Sequence, residues 1–154
     1  MLLASVSDTP YKIMLFAHIL LIFIALSPVV VHTIMFKLEL KRPDGDLAAV
    51  ASRVIGLPTK IYDGALILGA ILGFGLISMS DDVISMGDTW VWLSIVLWVA
   101  FMGVLHGLIY PTEAAIARGD EDAVAQLDKV GPIGIILALV LLFLMVVKPG
   151  GGGF

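Results

Sequence analysis

Four apolar stretches dominate the chain, and their lengths decide what it can become. Residues 11–36, 61–79, 90–110 and 131–147 are almost free of charged side chains, and a helix needs roughly 17–25 residues at 1.5 Å each to cross the hydrocarbon of a bilayer. The composition agrees: 60% of residues are hydrophobic, 14% are charged and the mean hydropathy is +1.07, against about a quarter charged in soluble domains. The expected fold is all-α, a four-transmembrane-helix bundle forming a single domain over residues 1–154 with the lipid bilayer as its principal partner. The connections and tails leave no room for a soluble domain.

The few charges are unevenly placed. Lys37, Lys41, Arg42, Arg53 and Lys60 lie in the first connection and Arg118 and Lys129 in the third, while the other side holds Lys12 and Lys148 with Asp8, Asp81, Asp82 and Asp88. Positive residues concentrate in cytoplasmic loops. The expected setting is therefore a cytoplasmic membrane, with the longer connections inside and both termini on the non-cytoplasmic side. The leading residues lack the positive charge of a cleavable signal, and the first apolar run is too long for one. A net charge of −4 is too small to imply a nucleic-acid partner, and the absence of cysteine rules out thiol catalysis, thiolate metal sites and disulfides.

A second constraint is internal. Displacing the sequence by 74 positions brings His32 onto His106, Glu39 onto Glu113, Gly45-Asp46 onto Gly119-Asp120, Ala49-Val50-Ala51 onto Ala123-Val124-Ala125 and Pro58 onto Pro132, eight identities in 27 ungapped positions. Self-similarity of this kind predicts two tandem helical-pair repeats, about residues 11–80 and 85–150. Each repeat carries one histidine at the same place.

Local signals fill in the plan. Pro28 cannot donate to the Ile24 carbonyl, so a bend is expected there and the freed acceptor must find another partner. RPDGD followed by LAAVASRVI predicts a turn and a short amphipathic helix capped by Asp46 and ended by Gly56-Leu57-Pro58. The third connection predicts the same elbow, with DAVAQLDKV ended by Gly131-Pro132. Ala65, Gly69 and Gly73 form a small-residue stripe that admits a neighbouring backbone, and Gly103 and Gly107 repeat the spacing. Such stripes serve packing inside the bundle or assembly into a homo-oligomer. Trp90 and Trp92 suit an aromatic belt. The fourth span, without polar side chains, reads as a lipid-facing wall, and Phe154 as a tail that dangles or docks.

Ionisable groups within spans are costly and read as functional by default. Here they are His18, His32 and His106, with Glu39, Asp63 and Glu113 at the boundary. His18 lies about 21 Å above His32 on nearly the same helix face. His32 and His106 fall at one depth on diagonal helices, where facing side chains build core sites, and two such histidines can supply both axial ligands of a b-type haem. The alternatives are a metal or small-ligand site from His32, His106, Asp63 and Glu113, or interface histidines bonded to carbonyls and water. Glu39 and Glu113, about 10 Å beyond their histidines, are placed to meet propionates through water or to pair with arginines.

The early His18, the elbow RPDGDLAAVASRVIGLPTK, the glycine-rich second span and YPTEAAIARGDEDAVAQLDKV resemble a group of bacterial four-helix integral membrane proteins of unknown function. More remotely they are similar to HemJ-type protoporphyrinogen oxidases and to copper-resistance D membrane domains. The first likeness implies a haem association through a first-helix histidine, which maps to His18, together with a lysine in a later helix; no later span here contains one. The second implies histidine and methionine ligands, and Met14, Met35 and Met102 form no cluster in sequence. The resemblance thus implies a fold and a porphyrin connection rather than an activity.

Two functional expectations follow. One is haem b bound by His32 and His106, with His18 as a further ligand candidate, for electron transfer or tetrapyrrole handling. The other is a non-catalytic accessory subunit packed against a larger membrane complex. A transporter is disfavoured, because four helices with so few buried polar groups offer little path.

Overall fold

The structure, a computed structural model, describes residue 6 and residues 8–150; the expectations for Phe154 and for most of the first few residues fall outside these. Among the described residues, four helical rods are long and apolar enough to cross a membrane: Thr9–Leu40, Leu57–Ser78, Thr89–Ala117 and Asp122–Val147. This is the pattern of a multi-pass membrane protein.

Helix α1 (Thr9–Leu40) carries Pro10 in its first turn, where a missing N–H is harmless, and passes through Pro28 without interruption. The carbonyl that Pro28 strands is satisfied within the helix: the Ser27 hydroxyl donates to Ile24 O at 2.8 Å. α1 runs beyond the expected residue 36 into the elbow. There Glu39 accepts the Asp46 N–H at 2.8 Å and an Arg42 N–H at 3.3 Å. Gly45 must be glycine, since a Cβ there would collide with the Glu39 carbonyl. Asp46 then caps α2 (Leu47–Val54) by accepting the Ala49 N–H at 2.9 Å, as the sequence predicts.

Gly56, at φ 87°, reverses the chain into α3 (Leu57–Ser78), which lies back along α1. The small-residue stripe makes this approach close: a Cβ on Gly69 would sit 2.9 Å from Ile22 Cδ1, and one on Gly73 3.1 Å from His18 Cε1. In Gly103 and Gly107, by contrast, a Cβ would meet nothing within 4 Å. That stripe faces outward and takes no part in packing the bundle.

The third rod comprises α4 (Thr89–Val104), a π-helical turn (Leu105–Ile109) and α5 (Tyr110–Ala117). The turn has its cause in Pro111. Pro111 offers no N–H to the Gly107 carbonyl four residues back and its ring crowds that oxygen; the backbone widens, and the Tyr110 N–H bonds Leu105 O, five residues back.

The third connection departs from expectation. Instead of a second elbow helix ended by Gly131-Pro132, one helix α6 (Asp122–Val147) runs through both residues. Gly131 and Gly134 lie on a buried face of α6, with Thr33 of α1 beside Gly131 and Val29 and Ile109 against Gly134, so these glycines mark close packing and not a helix end. The opposite face of α6, including Leu139 and Val146, is exposed. The lipid-facing wall is therefore half of the helix.

α1 packs along α3, α4 along α6, and α1 touches α6; α2 sits on α5. The main core joins Ile22, Leu26 and Val29 to Leu66, Phe101, Leu105, Ile109 and Ala138. Since lipid tails are as apolar as leucine, this interior is held by van der Waals fit more than by exclusion of water. A second cluster, Phe36, Val50, Ala51, Val54, Ile116 and Ala123, closes the end of the bundle that carries α2 and α5, called the elbow end below.

Candidate functional site

The buried face of α1 reads Ile22, Ala25, Leu26, Val29, His32, Phe36, a helical stripe in which one position is an imidazole. On the third rod the buried positions Phe101, Leu105, Ile109 and Glu113 are four apart. In a regular helix three such steps would drift by about 120° around the axis. The π turn absorbs part of that drift and keeps Glu113 pointing inward.

The two stripes meet at their polar members. His32 Nδ1 and Glu113 Oε1 are 2.8 Å apart, between residues 81 positions distant in sequence. Glu113 is 1% exposed and His32 5%, and the Tyr62 ring stands edge-on to the imidazole at 5.8 Å. One proton serves this contact, either as Nδ1–H donated to a carboxylate or as a carboxyl O–H donated to Nδ1. Glu113 Oε2 is buried with no hydrogen-bond partner among the described residues. Glu113 is among the residues that wall a cavity of about 10 Å³, with Pro28, His32, Thr33, Tyr110, Leu127 and Gly131 among others, room for about one water molecule.

His106 follows Leu105 by one residue and so points to a different face. Its side chain is 48% exposed, with Nε2 3.3 Å from Asp63 Oδ1. The Tyr110 hydroxyl donates to the same Asp63 oxygen at 3.1 Å, and its ring stands edge-on to His106 at 5.1 Å. His18 is engaged elsewhere: its Nδ1 lies 2.7 Å from Gly69 O. A carbonyl can only accept, so Nδ1 carries the proton and Nε2 holds the lone pair.

The residues expected to act together are thus divided. His32 and His106 each have their own carboxylate, one inside the bundle and one on its flank, and the water-sized cavity beside His32 does not admit a porphyrin. The donor set in this arrangement does not fit a haem clamped by His32 and His106. The four residues considered for a metal split into the same two pairs, and no group of three or more His, Asp or Glu converges among the described residues. Positions that align in the sequence take different parts: Glu39 braces the elbow, whereas Glu113 meets the histidine of the other half. Sequence reading missed this cross-pairing. Its one available signal was Pro111 following Gly107 by four, which sets the rotation of everything around it. No protein-family model, no curated protein and no solved structure matches the chain.

Proposed function

We propose that this is an integral protein of the cytoplasmic membrane that takes up and releases a proton at the buried His32–Glu113 pair, working as a proton-coupled component. The observation that carries the reading is Glu113 itself: almost wholly buried, bonded through one oxygen to His32, its other oxygen without a hydrogen-bond partner among the described residues, and the residue among those that wall a one-water cavity. Such a group has a reason to be there only if its protonation is used, because an apolar pair of the same size would cost less to bury. Gaining or losing one proton changes the charge inside the bundle by a full unit. That is enough to bias a packed helix interface or the affinity of a partner. On the charge asymmetry of the connections, the elbow end lies in the cytoplasm and both termini outside.

The test is infrared difference spectroscopy of the full chain in lipid nanodiscs across a pH series. A carboxylic C=O band that titrates and is lost in Glu113→Gln is expected; a series with no such band overturns the reading.

A second reading is favoured by the outward His106, Gly103 and Gly107, which give one flank a polar group among small residues. Faces of that kind suit another transmembrane helix, in an accessory subunit of a larger membrane complex or in a homo-oligomer. Stoichiometric co-purification supports it. Haem b stays a proposal resting on His18, whose Nδ1 donates to Gly69 O and leaves Nε2 as the coordinating nitrogen. Purified protein without a Soret band removes it.

A further inference from the structure

We infer that the Asp63–Tyr110–His106 cluster is the proton port of the buried pair, connecting Glu113 to the elbow-end surface through one water in the cavity between Tyr110 and Glu113. The inference rests on the proton-binding reading of His32–Glu113 and adds the route and its direction.

Three placements carry it. Tyr110 and Glu113 wall the same cavity, three residues apart on α5, and Glu113 Oε2 is buried with no hydrogen-bond partner among the described residues. The Tyr110 hydroxyl donates away from the cavity, to Asp63 Oδ1 at 3.1 Å, and Asp63 Oδ1 is 3.3 Å from His106 Nε2. His106, about half exposed, completes the path to solvent.

Release runs outward along these contacts. The Glu113 carboxyl gives its proton to the water, and the water gives one to the Tyr110 oxygen. In the same step the Tyr110 hydroxyl proton moves to Asp63. Glu113 is then a carboxylate and Asp63 a neutral acid, and Asp63 hands its proton to the lone pair of His106 Nε2, forming an imidazolium that loses a proton to solvent. Each transfer breaks one O–H or N–H bond and makes one, so no ionised tyrosine is needed. This release needs the His106 tautomer with the Nε2 lone pair toward Asp63, and uptake requires the Tyr110 hydroxyl to rotate toward the cavity. Another titratable group facing the pair is Tyr62 of α3, edge-on to His32. α6 contributes only Leu127 and Gly131 to the cavity wall, and α2 contributes nothing.

The experiment is a pH jump on the full chain in nanodiscs, following the Glu113 carboxyl band in time. Tyr110→Phe keeps the ring and removes the relay atom. The band in this variant should reach its normal amplitude but respond slower by on the order of a hundredfold, the low end of what a positioned proton-transfer group supplies. Asp63→Asn should slow it comparably, and the exposed Glu121→Gln should leave it unchanged. A wild-type rate in both Tyr110→Phe and Asp63→Asn, with the band intact, overturns the port alone. Absence of the Glu113 band in the unmodified chain overturns the proton-binding reading and the port with it.

Discussion

Replacing Glu113 by methionine removes the carboxylate at nearly constant volume and strands the His32 imidazole in the core. In soluble interiors the loss of one member of a buried pair costs about 3–5 kcal/mol, whereas hydrogen bonds between helices in lipid are worth about 1–2 kcal/mol. The pair lies at the elbow end of a helical bundle, with one carboxylate oxygen already lacking a protein partner. A cost of about 2 kcal/mol is therefore expected for Glu113→Met, and about the same for His32→Leu, which leaves the carboxylate alone. The double variant removes both polar groups together and keeps the volume. It should stay within about 1 kcal/mol of the native chain or exceed it, where independent effects would sum to a loss of about 4 kcal/mol. Reversible unfolding in mixed micelles, run as a double-mutant cycle, measures this directly. If the double variant falls within about 0.5 kcal/mol of the summed singles, the two side chains do not depend on each other and the cross-bundle pair is refuted.

Three further outcomes are expected. Gly73→Val should cost about 1–3 kcal/mol by pushing the His18 ring off α3, while Gly103→Ala should stay within about 0.5 kcal/mol in the same unfolding assay; the reverse order would contradict the packing. Pro111→Ala supplies an N–H to the Gly107 carbonyl, so the π turn should relax and His106 should leave Asp63. The imidazole nitrogen resonances of His106 would then respond to Asp63→Asn in the native sequence but not in the Pro111→Ala background. In this cysteine-free chain, Ser52→Cys should react with an impermeant thiol reagent only from the cytoplasmic side and Ser85→Cys only from the opposite side, and a swapped result reverses the orientation.

Depth along the membrane normal was legible in the sequence, and rotation about each helix axis was only partly so. Hydropathy located all four spans, turn chemistry placed the α2 elbow with its Asp46 cap, and the spacing of Ala65, Gly69 and Gly73 marked the α1–α3 contact. Each of these is a local property of a dozen residues or fewer. The partner of His32 was not local. It depended on the facing direction of Glu113, which a regular helix would have turned away and the π turn restored. The same turn moved His106 to the flank, so two histidines at equivalent sequence positions diverged in role. Gly131-Pro132 misled for a related reason: in water this dipeptide ends helices, but here glycine supplies a close contact with α1 and α6 continues past the proline.

The three polar bonds described between the α1–α3 hairpin and the rest of the bundle, His32 to Glu113, Asp63 to Tyr110 and Asp63 to His106, all fall near one end. The molecule is thus built like a clothes-peg, pinned at the elbow end and closed at the far end by aliphatic and aromatic packing. Loosening the pin by one charge would be felt as splaying of the jaws, some 20 Å away along the rods, where a small change of angle at the pin becomes the largest displacement.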